Sequence, residues 1–108
     1  MSIKKTTKKE TYKTYEEVFK DLPTIGRALW ALRTCDELTQ KEFAKKLGIS
    51  ESNLSDIETG RKKVGPKRAA KFANLLDAPV ISFVKMSLNE LLKDQKLDLK
   101  VEVTQKAS

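Results

Sequence analysis

Gln40–Thr59 reads QKEFAKKLGISESNLSDIET, and the spacing of its apolar residues sets how it folds. Read as a helix, a tight turn and a second helix, the stretch sends Phe43, Leu47, Ile49, Leu54 and Ile57 toward one interior. Thr39-Gln-Lys-Glu42 has the form of a capping box and predicts that the first helix starts at Gln40. Gly48 suits a left-handed turn residue. Ser50 can cap the second helix, with Glu51 near the positive end of its dipole. Ala44 is small where the two helices would cross, and a larger side chain there would hold them apart. Gly60 suits the left-handed residue that ends the second helix.

Working outward, Thr14-Tyr-Glu-Glu17 predicts a short helix to about Asp21, with Val18, Phe19 and Leu22 apolar. Pro23 resets the chain, and Thr24 can cap a helix over 25–35. Ile25, Ala28, Leu29 and Leu32 share one face of it. Trp30 falls off that face and is expected to pack on the preceding short helix, with ligand stacking as the alternative. Beyond Gly60 comes a basic loop, Arg61-Lys-Lys63. Pro66 suits the first turn of a helix over 66–76, whose apolar stripe is Ala69, Ala70, Phe72, Ala73, Leu75 and Leu76. After Asp77-Ala-Pro79, a helix over 80–93 is predicted with Ile81, Val84, Leu88, Leu91 and Leu92 as its apolar positions. Phe83 and Met86 lie partly off this stripe and are candidates for an interface. Leu97–Val103 alternates apolar and polar residues, the period of a half-buried strand. A lone strand leaves its backbone groups unpaired, so it should pair outside the chain or with the N-terminal arm. No internal repeat is found.

Composition narrows the function. The 108 residues suffice for one modest core, and Lys+Arg exceed Asp+Glu by 22 to 15, a formal charge of +7. That excess favours a polyanionic partner, nucleic acid before an anionic membrane. No apolar run is long enough to span a bilayer, and no signal-peptide h-region is evident. The basic charge is spread over several elements, unlike an interfacial membrane anchor. There is no histidine, and Cys35 is the single cysteine. Cys-His catalysis is thereby excluded and no disulfide can form within the chain, so a reducing cytoplasm fits best. The carboxylates show no metal-loop spacing, and the glycines at 26, 48, 60 and 65 form no phosphate loop. Neither an enzyme nor a cofactor or metal site is expected. Cys35 lies beside Asp36 and Glu37, which disfavour a thiolate, so an inert cysteine is expected over a redox sensor.

From Leu38 to Pro79 the chain resembles the phage-repressor and Cro-like, or XRE, helix-turn-helix family. The resemblance rests on LTQKEFAKKLGISESNLSDIETGRK and the Pro66–Leu76 helix. It implies an all-α, five-helix lambda-repressor-like domain, here with a short extra N-terminal helix and a C-terminal β-strand. The implied organisation is a basic arm over 1–13, a DNA-binding domain over 14–94 and a strand or tail over 95–108 for dimer or partner contact. The arm is either a solvated tail or a segment that tracks phosphates. By the resemblance, Glu51, Ser52 and Asp56, with Ser55 adjacent, would reach base edges. Gln40, Lys41, Asn53, Arg61, Lys62, Lys63 and Lys67 would serve the phosphate side, and Asn53 could reach a base as well. The family spacing also implies an ion pair between Arg33 and Glu58, the alternative being two separate surface charges.

The implied function is a sequence-specific, dimeric repressor on a palindromic double-stranded operator. A compatible role is that of an antitoxin that neutralises a toxin protein, with the 97–103 strand or the arm as its contact. The alternative from another class is a helical bundle that binds only protein. The reading face carries Glu51 and Asp56 and no Arg or Lys, so the grip on DNA is expected to come from its basic flanks.

Overall fold

The computed structural model describes residues 24–106. Five helices follow one another: α1 Ile25–Cys35, α2 Gln40–Leu47, α3 Glu51–Glu58, α4 Pro66–Leu75 and α5 Val80–Asp94. The described residues are all helix and connecting segment. The basic arm and the short helix expected over 14–21 lie outside them.

Each start has a local cause. Thr24 Oγ1 accepts from Arg27 N–H, Ser50 Oγ accepts from Asn53 N–H, and Thr39 and Glu42 form the reciprocal capping box. Pro66 opens α4 behind Gly65, where its missing N–H has no helical partner to lose. The helix ends share a second device. Glu37, Gly48, Gly60, Asp77 and Lys96, each just past a helix, all have positive φ. In each case the next residue's N–H turns back five residues, as in Leu38→Arg33, Ile49→Ala44 and Ala78→Ala73 at 3.0, 3.0 and 2.8 Å. That is the Schellman closure. Leu38, Ile49 and Ala78 then pack against the core, which is what makes left-handed Glu37 and Asp77 tolerable.

The core is one cluster. Phe43, Ala44, Leu47, Leu54 and Ile57 of the central helix pair are buried with Ile25, Ala28 and Leu29 of α1 and Ala69, Phe72 and Ala73 of α4. Ile49 packs partly buried against it, and α4 and α5 pack extensively on each other. Gly26 has a role that periodicity does not reveal. A Cβ there would fall on the carbonyl oxygen of Ile57, so glycine lets α1 approach the last turn of α3.

Three expectations are corrected. The strand over 97–103 is absent: residues 97–106 form neither helix nor strand, and Leu97 and Leu99 are exposed. An alternating pattern makes a strand only where a neighbour takes its backbone hydrogen bonds, and no strand exists among the described residues. Second, α5 buries a different face. Phe83, Met86, Ser87 and Glu90 are inside, with Ser82, while Leu91 is 53% exposed. The buried set keeps the spacing i, i+3, i+4, i+7 but lies roughly 140° around the helix from the expected stripe. Its polar members are partnered. Ser87 Oγ donates to the Val64 carbonyl at 2.7 Å, and Glu90 Oε2 accepts from Ile25 N–H at 2.7 Å. Phe83 and Met86 are therefore core and not interface. Third, Leu75 is exposed on α4 and does not join that helix's buried stripe.

Gly26→Ala is expected to destabilise the fold by about 1–3 kcal/mol, the usual cost of forcing atoms into a packed contact. The measurement is urea unfolding, with a lower midpoint and an unchanged slope.

Candidate nucleic-acid interface

Two short helices joined by Gly48 at φ +73° put the N-terminal half of α3 on the surface. Leu54 and Ile57 anchor its inner side. Glu51 and Ser52 are exposed, and Asn53, Ser55 and Asp56 are half-buried. The four residues expected to read bases thus share one short helix that the core leaves accessible.

The C-terminal end of α3 is fixed by a carboxylate. Glu58 Oε2 accepts from Arg33 Nε at 2.8 Å and Oε1 from Arg33 Nη2 at 3.1 Å, a two-pronged pair with side chains 4% and 15% exposed. Arg33 Nη1 also donates to the Leu38 carbonyl at 3.0 Å. Gln40 Nε2 donates to Glu58 Oε1 at 2.9 Å. The structure therefore brings Arg33, Gln40 and Glu58 together. Gln40, expected on phosphate, spends one amide proton on Glu58 and keeps a second for a ligand.

The basic loop divides in two. Lys62 Nζ donates to Asn53 Oδ1 at 2.6 Å and lies 3.9 Å from Asp56 Oδ2. Arg61 Nη1 lies 3.8 Å from Asp56 Oδ1. Lys63 turns to α5, 3.7 Å from Glu90 Oε1 and 3.8 Å from Asp94 Oδ1. Of the three loop cations, two fold toward α3 and one is held by α5. Lys41 on α2 and Lys67 in the first turn of α4 are exposed. Sequence reasoning missed Ser87 and Glu90, which tie the loop's Val64 and Lys63 to α5. Their only sequence signal is a polar residue inside an apolar helix, which ordinarily marks an outward face.

Among the described residues no helix is long and apolar enough to cross a membrane, and no group of His, Cys, Asp or Glu is placed to hold a metal ion. A helix-turn-helix family profile matches residues 36–82. The chain is 30% identical over 80 residues to the antitoxin PezA of Streptococcus pneumoniae, covering 73% of this chain and 51% of that protein. It is 45% identical over 47 residues to an uncharacterized HTH-type transcriptional regulator of Archaeoglobus fulgidus, covering 44% of this chain and 20% of that protein. The chain thus spans about half the length of the first relative and a fifth of the second. No solved structure gives a significant match.

Arg33→Ala is expected to cost about 3–5 kcal/mol, because it strands the nearly buried Glu58 carboxylate. Denaturant unfolding measures this, and a negligible loss would mean that the two charges act separately. The capping box, the Gly48 turn, the anchored α3 and the family match together identify residues 36–82 as a helix-turn-helix domain.

Proposed function

We propose that the chain is a sequence-specific regulator that binds a palindromic operator in double-stranded DNA as a dimer and represses its own operon. The observation that carries this reading is the exposed start of α3, with Arg61 and Lys62 folded back toward Asp56 and with Lys41 and Lys67 exposed on α2 and α4. A helix presented this way fits the major groove, while the flanking cations suit the phosphates on either side. The protein works by occupancy and not by catalysis, in the cytoplasm. Glu51 and Ser52 open α3 and are the residues best placed for base edges. A carboxylate such as Glu51 can accept from the exocyclic amine of cytosine.

Dimerisation is supported by the outward face of α5. Val80, Val84, Leu88 and Leu91 lie along it, and Val80 and Leu91 are exposed. An apolar stripe beside a charged surface favours a self-complementary contact with a second copy. Two α3 helices would then enter successive major grooves about 34 Å apart.

Binding should weaken steeply as salt rises, with log affinity falling linearly in log salt concentration, because each neutralised phosphate releases counterions. The measurement is fluorescence anisotropy on duplexes enriched from random DNA by the purified chain. A flat salt response or equal affinity for all duplexes would overturn the reading. Leu91→Glu should leave the fold intact, shift the sedimentation coefficient to that of the monomer and lower operator affinity. Unchanged sedimentation would remove α5 from the dimer contact.

A second role as antitoxin is favoured by the similarity to PezA, which extends over 80 residues. Here the chain also binds and neutralises a toxin protein. Growth arrest caused by the product of a neighbouring small gene, relieved by co-expressing this chain, is the test. Continued arrest would overturn it.

A further inference from the structure

The acidic residues on the accessible side of α3 pose a problem of sign. A carboxylate set among phosphates ordinarily weakens binding, and removing it tightens the complex. The surroundings of Asp56 reverse that expectation. We propose that Asp56 is a positioning residue that holds Lys62 over α3, so that this carboxylate strengthens DNA binding; the inference rests on the DNA-binding reading above.

Backbone and side chains both carry it. The N–H groups of Arg61 and Lys62 donate to the Asp56 carbonyl oxygen at 2.8 and 3.1 Å, which folds the loop back along the helix that precedes it. The side chains then meet again. Asn53 and Asp56 are three residues apart and neighbours on the helix surface. Lys62 Nζ sits across them, 2.6 Å from Asn53 Oδ1 and 3.9 Å from Asp56 Oδ2. Arg61 approaches the same carboxylate at 3.8 Å. Two cations against one anion leave this part of the surface net positive. The helix's own sequence, ESNLSDIE, offers no cation at all.

The chemistry suits presentation to DNA. An ammonium has three N–H donors. Asn53 takes one, Asp56 attracts another, and at least one remains for a phosphate or base oxygen. Lys62 is half-exposed, and its flexible stem otherwise samples many rotamers. Holding it beforehand reduces what binding must order. Lys63 gives the contrast within the same loop, because Glu90 and Asp94 draw it to α5. Lys62 is thus the loop lysine assigned to the α3 surface, held there by its hydrogen bond to Asn53 together with the charge of Asp56.

The test is a double-mutant cycle on Asp56→Ala and Lys62→Ala in the full chain, by anisotropy on one duplex enriched by the wild type, across a salt series. Lys62→Ala should weaken binding about three- to tenfold and lower the salt slope by about one. Asp56→Ala should weaken it similarly and lower the slope too, although it removes a negative charge. With Lys62 already replaced, Asp56→Ala should no longer weaken binding. The pair is a long contact at 3.9 Å to a half-exposed Lys62, so thermal unfolding of Asp56→Ala should stay close to wild type, which separates positioning from folding. Equal or tighter binding by Asp56→Ala would overturn the proposal. So would the same loss with and without Lys62, which would make Asp56 a direct DNA contact. A wild-type chain that selects no duplex would overturn the DNA-binding reading and this inference with it.

Discussion

Glu58 accepts hydrogen bonds from Arg33 through both oxygens and from Gln40 through one, and this nearly buried carboxylate joins α1, the first turn of α2 and the end of α3. A charge so enclosed is tolerable only while its donors stay in place, since the cost of taking it out of water is not otherwise offset. The same junction needs close backbone approach. Gly26 lets α1 lie against the Ile57 carbonyl, immediately beside Glu58. Steric fit and charge pairing therefore fix one crossing from two sides. With its last turn held, α3 can only project its other end outward. The accessibility of Glu51 and Ser52 is thus a consequence of what happens at the far end of their helix.

The parts of the fold that were legible in the sequence are those governed by neighbours in the chain. Thr39 and Glu42 cap each other, Ser50 reaches Asn53 N–H, and Gly48 takes a positive φ, each within a few residues. The core positions of α1 to α3 follow from periodicity because those helices bury one apolar stripe and solvate the rest. Arg33 and Glu58 were paired through the family resemblance, not through any local rule. Helix α5 defeats periodicity because it has two apolar sides. Ile81, Val84, Leu88 and Leu91 make a longer apolar row than Phe83 and Met86, yet the buried face is the one whose polar members find partners. Ser87 meets the Val64 carbonyl, and Glu90 meets the first N–H of α1. Both partners are distant in sequence, so no local pattern could announce them. The 97–103 segment failed for the opposite reason. Its alternation is a local signal for a structure that needs a non-local neighbour.

The buried polar face of α5 also links regions that the helix pair alone would leave independent. Glu90 accepts from the start of α1 and stands 3.7 Å from Lys63, while Ser87 holds the carbonyl of Val64. The chain between α3 and α4 is thereby fastened at both ends, to Asp56 at its start and to α5 at its finish. A loop carrying three adjacent cations would otherwise repel itself and sample many conformations. Here each cation has a carboxylate within 4.0 Å, and the conformation that results is specific.

This partition resolves the tension between a basic protein and an acidic helix. Net charge alone says that the chain is drawn to polyanions, and the composition of α3 alone says that its surface repels them. Neither statement accounts for where the side chains go. Asp56 is opposed by two cations supplied from outside its helix, and Glu58 is enclosed by Arg33 and Gln40. Of the three acidic residues of α3, Glu51 is then the one that meets solvent with its charge uncovered by these contacts. It stands in the first turn, where the helix dipole stabilises an anion. The electrostatic character of α3 is therefore set less by its own residues than by the loop that follows, and the order of charges along Asp56 to Lys63 matters more than their sum.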